Sequence, residues 1–381
     1  MLARDPAIIA AVQAAARRLR QPPALVTGCE REALAHLAAP GEGPRHLVLE
    51  PAATGPGWPL LLETLSDPTA RTGLVLVSGL PSEVAGPGLA VLPADAGRVA
   101  AALQAPGERR PGTLPQGGAA ALRAGLSKGE VLVRYQPIVR ITDRRPVLVE
   151  ALARWQPAPQ GDPTQPGGAA VSPGAFMPLA ERSGLVRALS VLVASRAAAE
   201  LAPLRRRFGG LGGVSVNLPL ELLLQPDLPG WLREALRGTG LRPRHMALEL
   251  TETTPVRDLP TLRRALLRLR TAGHPVLLDD VTLGDGREAL LGLPFAGLKL
   301  DRGLVEALPR HAQARREVRR LVRLAEARGQ CVIAEGVSGR RLWAAVRALG
   351  VPLAQGFGIG RPLPAAALAS WAASWQGYRQ G

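Results

Sequence analysis

The chain contains the stretch Val276-Leu277-Leu278-Asp279-Asp280, in which an apolar run typical of a buried strand ends in two acidic residues. Similar runs ending in a polar or charged residue recur at Val147-Leu148-Val149-Glu150, Val214-Ser215-Val216-Asn217, Met246-Ala247-Leu248-Glu249, Leu298-Lys299-Leu300-Asp301, Cys331-Val332-Ile333-Ala334-Glu335 and Leu353-Ala354-Gln355. Helical patterns separate them, and right-handed crossovers would then place successive strands parallel. The repetition predicts a (β/α)8 TIM-like barrel, in which the ends of the strands converge on one face.

This convergence would gather charged and amide side chains at one mouth of the barrel. They are Glu150, Glu249, Asp279, Asp280, Glu335, Asn217, Gln355 and Lys299. Carboxylates that lie close together are unfavourable unless a cation compensates their charge, so the pattern predicts a bound divalent metal. All the candidate ligands offer oxygen, and neither His nor Cys is among them, which favours Mg²⁺ or Mn²⁺ over zinc.

Several of these residues also allow a second interpretation. An acid that follows a strand is often the N-cap of the next helix. Lys299 could lie on the surface, although the flanking leucines favour an inward position. Gln136 lies in the first barrel strand. Its amide could form hydrogen bonds with the edge of a nucleotide base, or it could bridge the barrel floor. Glu252, three residues after Glu249, is either a loop anchor or an ordinary exposed acid.

Residues 1–104 show a different pattern, in which short apolar runs alternate with helical stretches. The runs lie at 7–10, 24–27, 46–50, 73–78 and 89–92. This order predicts a small doubly wound α/β domain, joined by a linker rich in Pro and Gly over 105–118 to a domain over 119–381. The strand order resembles that of a response-regulator receiver, but Glu50 stands where the phosphate-accepting Asp would be. We therefore expect a degenerate receiver-like domain used for docking or dimerisation.

The composition limits which binding partners and which cellular compartment are expected. The formal net charge is +16, but only Lys128 and Lys299 are lysines, and no run of five or more basic residues occurs. A solvated basic surface is therefore expected, and nucleic acid is not expected as a partner. Two cysteines are too few for a disulfide framework, and no apolar run is long enough to cross a membrane. The sequence thus predicts a cytoplasmic protein without a membrane partner.

Further motifs stand in a fixed order over about residues 120–370. They include Tyr135-Gln136-Pro137-Ile138-Val139, Glu150-Ala151-Leu152 followed by Arg154-Trp155, Glu249-Leu250-Thr251-Glu252, Asp279-Asp280, Ala334-Glu335-Gly336-Val337 and Arg361-Pro362-Leu363-Pro364. By these motifs the chain resembles the EAL-domain family of cyclic di-GMP phosphodiesterases. The resemblance implies an EAL barrel that hydrolyses cyclic di-GMP to linear pGpG in bacterial second-messenger signalling, as a homodimer with two Mg²⁺ or Mn²⁺ ions.

The resemblance also implies a role for each residue. Glu150, Asn217, Glu249 and Asp279 look like ligands of the first metal, and Asp280 looks like the bridge to the second. Lys299, Glu335 and Gln355 resemble the groups that position or activate the water, with Glu252 as the anchor of the loop after Asp280. The residues that resemble substrate contacts are Gln136, Leu152, Arg154, Pro178, Asp301 and Pro362.

The loop after Asp280 departs from the family pattern. The family usually continues Phe-Gly-Thr-Gly-Tyr-Ser-Ser, whereas this chain has Val281-Thr282-Leu283-Gly284-Asp285-Gly286-Arg287 and is one residue shorter up to Lys299. This departure motivates an alternative function, a catalytically weak or inactive receptor that binds cyclic di-GMP. A third hypothesis is an interaction module without catalysis that uses its basic surface. The stretch 156–170, rich in Pro, Gly and Gln, is either a flap beside the mouth or padding.

Overall fold

A computed structural model of the chain describes residues 114–115, 117–157, 171–207, 211–251, 258–282 and 288–377, and before them only 9–10, 12–14, 45–49, 72–77 and 89–92. Strands β1 (Arg45–Leu49), β2 (Thr72–Val77) and β3 (Leu89–Leu92) form a parallel sheet in that order. These strands coincide with three of the predicted runs, and the run at 24–27 lies outside the described residues. The prediction of a strand over 7–10 is wrong, because residues 9–10 and 12–14 are helical in an alanine-rich stretch that favours helix.

Eight further strands close into a barrel in chain order. They are β4 (Val131–Arg140), β5 (Pro146–Trp155), β6 (Val214–Pro219), β7 (Met246–Thr251), β8 (Val276–Val281), β9 (Gly297–Leu300), β10 (Cys331–Ala334) and β11 (Leu353–Gln355). From β5 to β11 each strand is parallel to the next. The TIM-like barrel predicted from the recurring strand ends is therefore present.

One strand runs against the other seven. β4 pairs antiparallel with β11, which places Ile138 opposite Gln355. Residues 141–145 join β4 directly to β5, and the Arg140 amide donates to the Arg145 carbonyl across this turn. A connection of this length is too short for a crossover helix, which a parallel pair requires. The prediction that successive strands run parallel is thus wrong for β4.

Helices lie between the strands and after the last one. Their bounds are α1 Gly118–Lys128, α2 Pro173–Arg182, α3 Val186–Arg207, α4 Leu220–Leu223, α5 Leu228–Leu236, α6 Leu259–Thr271, α7 Glu288–Leu291, α8 Arg302–Ala307, α9 Ala312–Glu326, α10 Arg340–Ala348 and α11 Leu368–Gly377. In α6, Leu262, Leu266 and Leu269 recur at helical spacing and are buried, and the Asp258 side chain caps the first turn. Among these helices none is both long and apolar enough to cross a bilayer.

The barrel interior is built in layers, and these layers position the polar residues. Ile138, Leu277 and Ile333 form an apolar cluster inside the barrel, against which Leu148 and Leu353 pack. Alternate residues of a strand point to the same face. On the parallel strands, the residue two positions after each of these apolar residues also faces inward and is polar. On the antiparallel β4, the corresponding polar residue comes two positions before Ile138. This next layer comprises Glu150, Asp279, Glu335, Gln355 and Gln136.

The start of β6 requires glycine, and this gives a stability prediction. A Cβ atom added at Gly213 would lie 2.3 Å from the backbone oxygen of His245. We expect Gly213→Ala to lower the free energy of unfolding by about 3 kcal/mol, because the two backbones must separate. At Gly230 in α5 an added Cβ meets nothing within 4 Å, so Gly230→Ala should raise stability by about 0.5–1 kcal/mol. Urea unfolding measures both, and an unchanged midpoint for Gly213→Ala would contradict the close approach.

Candidate active site

Lys299 occupies the centre of the polar layer. It is 1% exposed, so the surface position considered from the sequence is wrong. Its Nζ lies 2.5 Å from Glu335 Oε1, 2.7 Å from Glu249 Oε2, 3.1 Å from Asp279 Oδ1 and 3.5 Å from Glu150 Oε2. One ammonium therefore faces four carboxylates, three from the strands β5, β7 and β8 and one from the residue directly after β10. It supplies part of the compensating charge that the sequence argument assigned to metals alone, and leaves negative charge in excess.

Two amide side chains also hold the Glu150 carboxylate. Asn217 Nδ2 donates to Glu150 Oε1 at 2.8 Å, and Gln355 Nε2 donates to Glu150 Oε2 at 2.6 Å. Burial acts to raise the pKa of Glu150, but Lys299 and the two amide donors outweigh it and lower the pKa below its usual value. Glu150 is therefore held as a carboxylate in a fixed orientation.

The other carboxyl groups of the cluster have raised pKa values. Burial, together with the charges of Glu150 and Asp279, raises the pKa of Glu249 well above its usual value. Burial likewise raises the pKa of Asp279, and it raises the pKa of Glu335 to about 8 despite the nearby Lys299. Without a further cation Glu335 therefore binds a proton near neutral pH, and Glu249 and Asp279 bind protons more readily than ordinary carboxyl groups.

The residues present fit a hard divalent cation. Asp279, Asp280 and Glu335 offer oxygen atoms that lie within 4.8 Å of one another. Glu249 Oε1 and Gln355 Oε1 are buried and have no hydrogen-bond partner among the residues described. Buried oxygens of this kind are normally satisfied, and a bound ion or its water would satisfy them. The donors are all oxygen atoms, as Mg²⁺ and Mn²⁺ prefer.

Asp280 has an unusual backbone conformation beside this group. Its φ is +52°, in the left-handed region that non-glycine residues rarely adopt, and its amide donates to Asp279 Oδ1 at 3.1 Å. Such conformations cost roughly 1–3 kcal/mol and are found at functional sites. The conformation lies within β8, between Leu278 and Val281, where the register between β8 and β9 shifts. Nothing in the sequence pattern indicated it.

The predicted substrate contacts are distributed over several elements. Asp301 caps α8, where its Oδ1 accepts hydrogen bonds from the amides of Gly303 and Leu304 at 2.8 and 3.2 Å. Leu152 is half-buried in β5 and Pro362 is buried. Arg154 (buried) and Pro178 (half-buried within α2) belong to a compact unit with α1, in which Trp155 packs against the edge of Phe176. Glu252, the loop residues 283–287 and most of the 156–170 stretch lie outside the described residues.

Gln136 makes one contact that fits the sequence-based expectation and one that the sequence did not indicate. Gln136 Oε1 accepts a hydrogen bond from Gln355 Nε2 at 3.0 Å, as an amide bridging the barrel could. Its Nε2 also donates to the carbonyl of Gly360 at 3.2 Å. No local signal could have found this bond, because its partner is a backbone group far along the chain.

The family model that matches residues 119–362 is described as the EAL domain. The chain belongs to the EAL-domain family. Its EAL domain is 31% identical over 252 residues to the bifunctional diguanylate cyclase/cyclic di-GMP phosphodiesterase MucR of Pseudomonas aeruginosa, a match that covers 64% of this chain and 35% of MucR. It is 30% identical over 252 residues to the probable cyclic di-GMP phosphodiesterase PdeB of Escherichia coli K12, covering 66% of this chain and 46% of PdeB.

A solved structure extends this similarity to three dimensions. The structure of the PaMucR phosphodiesterase in complex with c-di-GMP superposes on the EAL domain with a TM-score of 0.59 and 30% sequence identity. The superposition covers 66% of this chain and 99% of that one. In contrast, the chain spans less than half the length of MucR and PdeB, so the similarity concerns the EAL domain rather than those whole proteins.

Proposed function

We propose that this EAL domain is a metal-dependent phosphodiesterase that hydrolyses cyclic di-GMP to linear pGpG. The observation that carries the proposal is the buried cluster in which Glu150, Glu249, Asp279 and Glu335 surround Lys299 Nζ. Its excess negative charge and unsatisfied oxygens suit cations that bind next to a phosphate group. Membership of the EAL family, and the similarity to PaMucR bound to c-di-GMP, support the choice of substrate.

Each residue has a proposed task in this reaction. Glu150, Asn217, Glu249 and Asp279 would hold one cation, and Asp280 would link it to a second. When bound, the ions supply hydroxide near neutral pH and offset the charge that develops at phosphorus. Glu335 is suited to take the proton of the attacking water, because Lys299 Nζ lies 2.5 Å from its Oε1 and fixes the position of its carboxylate.

The remaining predictions concern the substrate and the rest of the chain. Arg154 is proposed to grip a phosphate through charge-assisted hydrogen bonds, and Leu152, Pro178, Asp301 and Pro362 are proposed as further substrate contacts. Glu252 keeps its predicted role as a loop anchor. The receiver-like domain over 1–104, the linker, the homodimer and the cytoplasmic location stay predictions.

A hydrolysis assay on the purified full chain tests the function. With cyclic di-GMP and Mn²⁺ or Mg²⁺ we expect pGpG to accumulate, and with excess EDTA we expect no product. Stoichiometric retention of cyclic di-GMP without pGpG after long incubation would instead establish the receptor alternative, which the comparisons do not favour. Salt-dependent binding to DNA, with no affinity for cyclic di-GMP, would indicate the interaction module.

Proton release on metal binding is a further expected result. At pH 7 the metal-free protein holds a proton on Glu335, whose pKa is about 8, and the raised pKa of Glu249 favours proton binding there as well. A cation displaces these protons, so the apparent affinity for Mn²⁺ should rise as the pH increases from 6 to 8. Isothermal titration of the full chain with Mn²⁺, in buffers of different ionisation enthalpy, measures the number released. A binding heat that does not depend on the buffer would contradict this expectation.

The same pKa shift predicts how the stability of the metal-free protein depends on pH. The folded-state pKa of Glu335 is raised from its ordinary value of 4.5 to about 8. Its contribution to stability is therefore complete below pH 4.5 and is lost as the pH rises through 8, because the unfolded chain has released the proton. Urea unfolding in EDTA between pH 5 and 8.5 measures this loss of stability, and added Mn²⁺ should reduce it.

A further inference from the structure

Gln136 is hydrogen-bonded at both ends of its amide. Its Nε2 donates to the Gly360 carbonyl at 3.2 Å, and its Oε1 accepts from Gln355 Nε2 at 3.0 Å. A carbonyl can only accept, so the bond to Gly360 fixes which end of the amide is nitrogen. The side chain is 9% exposed and lies in the same layer as the carboxylate cluster. Its orientation is thus set by the protein itself.

Gly360 belongs to a segment that is anchored at several points. We call residues 356–364, which lie between β11 and α11, the C-terminal strap. The amide of Gly358 donates to the Val337 carbonyl at 2.9 Å, and Trp371 Nε1 of α11 donates to the Ile359 carbonyl at 2.9 Å. Tyr135 and Leu363 exchange two backbone hydrogen bonds of 2.7 and 2.9 Å. The strap is therefore held against β4 and α11.

The strap also packs closely at Gly360. A Cβ atom added there would lie 2.8 Å from Trp371 Nε1 and 3.2 Å from two atoms of the Pro137 ring. The backbone at Gly360, whose carbonyl Gln136 binds, therefore lies close to both α11 and β4, and this close packing restricts its movement.

A continuous series of hydrogen bonds leads from this fixed point to the carboxylate cluster. Gly360 O accepts from Gln136, Gln136 accepts from Gln355, and Gln355 Nε2 also donates to Glu150 Oε2 at 2.6 Å. Gln355 Nε2 thus donates to two acceptors, and the orientation of the Gln355 amide depends on both of them. Moving Gln136 would leave Gln355 held only by Glu150.

We propose that Gln136 is a positioning residue that fixes Gln355, and through it Glu150, to the C-terminal strap. The inference rests on the proposed function, because it assigns Gln136 a part in the metal-binding arrangement rather than in reading a base edge. Partners that orient a metal ligand typically affect metal affinity or activity by roughly 10–100-fold when they are removed. The orientation of Glu150 would therefore depend on a backbone carbonyl near the C-terminus.

The variant Gln136→Met tests this, because it keeps the length of the side chain and removes both hydrogen bonds. We expect the dissociation constant for Mn²⁺, measured by calorimetry without substrate, to rise by about 10-fold. We also expect kcat to fall by about 10-fold with little change in KM, and amide hydrogen exchange in the strap to become faster in the metal-free protein. A raised KM for cyclic di-GMP, with unchanged Mn²⁺ affinity and strap exchange, would overturn the proposal in favour of base reading.

Gln330→Met is the matched control. Gln330 Nε2 also donates to two backbone carbonyls at 3.2 Å, those of Leu293 and Phe295, but it lies just before β10 and away from the carboxylate layer. This variant should leave Mn²⁺ affinity, kcat and KM unchanged. If the wild-type chain binds Mn²⁺ but does not hydrolyse cyclic di-GMP, the proposed function fails, while Mn²⁺ affinity and strap exchange still decide the role of Gln136.

A second variant keeps the inference testable if Gln136→Met does not fold. Trp371→Phe retains an aromatic ring but makes the buried side chain smaller and removes the Nε1 donor to Ile359. We expect faster amide exchange over residues 356–364 and a smaller loss of Mn²⁺ affinity than in Gln136→Met. Unchanged Mn²⁺ affinity in Trp371→Phe, despite faster exchange of the strap, would show that the strap does not set the position of Glu150.

Discussion

Replacing Lys299 by Met is expected to abolish hydrolysis and to lower the free energy of unfolding of the metal-free protein by about 3 kcal/mol or more. The ammonium is buried and lies within 3.5 Å of four carboxylates, so its removal leaves their mutual repulsion uncompensated. Protonation of the carboxyl groups relieves part of this repulsion, so the loss of stability should increase as the pH rises from 5 to 8. Urea unfolding in EDTA and the rate of pGpG formation measure the two effects.

The chain offers a matched control, because it contains only one other lysine. Lys128 is exposed in the last turn of α1, and Lys128→Met should change neither stability nor turnover by a measurable amount. Mn²⁺ should stabilise Lys299→Met more than the wild type, since the ion replaces the missing positive charge. Unchanged unfolding in EDTA, together with retained hydrolysis, would contradict the assigned role of Lys299.

Glu150→Gln is expected to raise the dissociation constant for Mn²⁺ by at least about 100-fold and to lower kcat by a similar factor. The substitution preserves size but removes the charge. It also places an amide NH₂ group against a donor, either Asn217 Nδ2 or Gln355 Nε2, because both oxygens of Glu150 accept hydrogen bonds. The fold should persist, since losing one carboxylate also relieves repulsion within the cluster. Calorimetry with Mn²⁺ and single-turnover hydrolysis measure the result.

An exposed glutamate provides the comparison for this substitution. Glu234 pairs with Arg237 at 2.6 Å on the surface of α5, where ion pairs contribute little. Glu234→Gln should therefore leave metal affinity and turnover unchanged. A Glu150→Gln enzyme with near wild-type kcat and Mn²⁺ affinity would refute the role of Glu150 as a metal ligand.

Much of the candidate site could be predicted from the sequence because strands have a side-chain period of two. Once an apolar residue such as Leu277 faces the barrel interior, Asp279 must face it as well. The same rule places Glu335 above Ile333. The sequence could not give the opposite direction of β4, since an inward Gln136 fits a strand that runs either way. It also gave no sign of the left-handed conformation at Asp280, which lies where the register between β8 and β9 shifts.

The order of apolar runs and polar endings was enough to determine the barrel and the residues that line its mouth, because burial and strand period act locally along the chain. Tertiary structure alone decided that Lys299 Nζ stands among four carboxylates, that Gln355 donates to both Glu150 and Gln136, and that Gln136 holds Gly360. These contacts depend on distances of about 3 Å between residues far apart in sequence. Such distances, together with the low polarity of the buried interior, set the charge balance and the pKa values on which the chemistry depends.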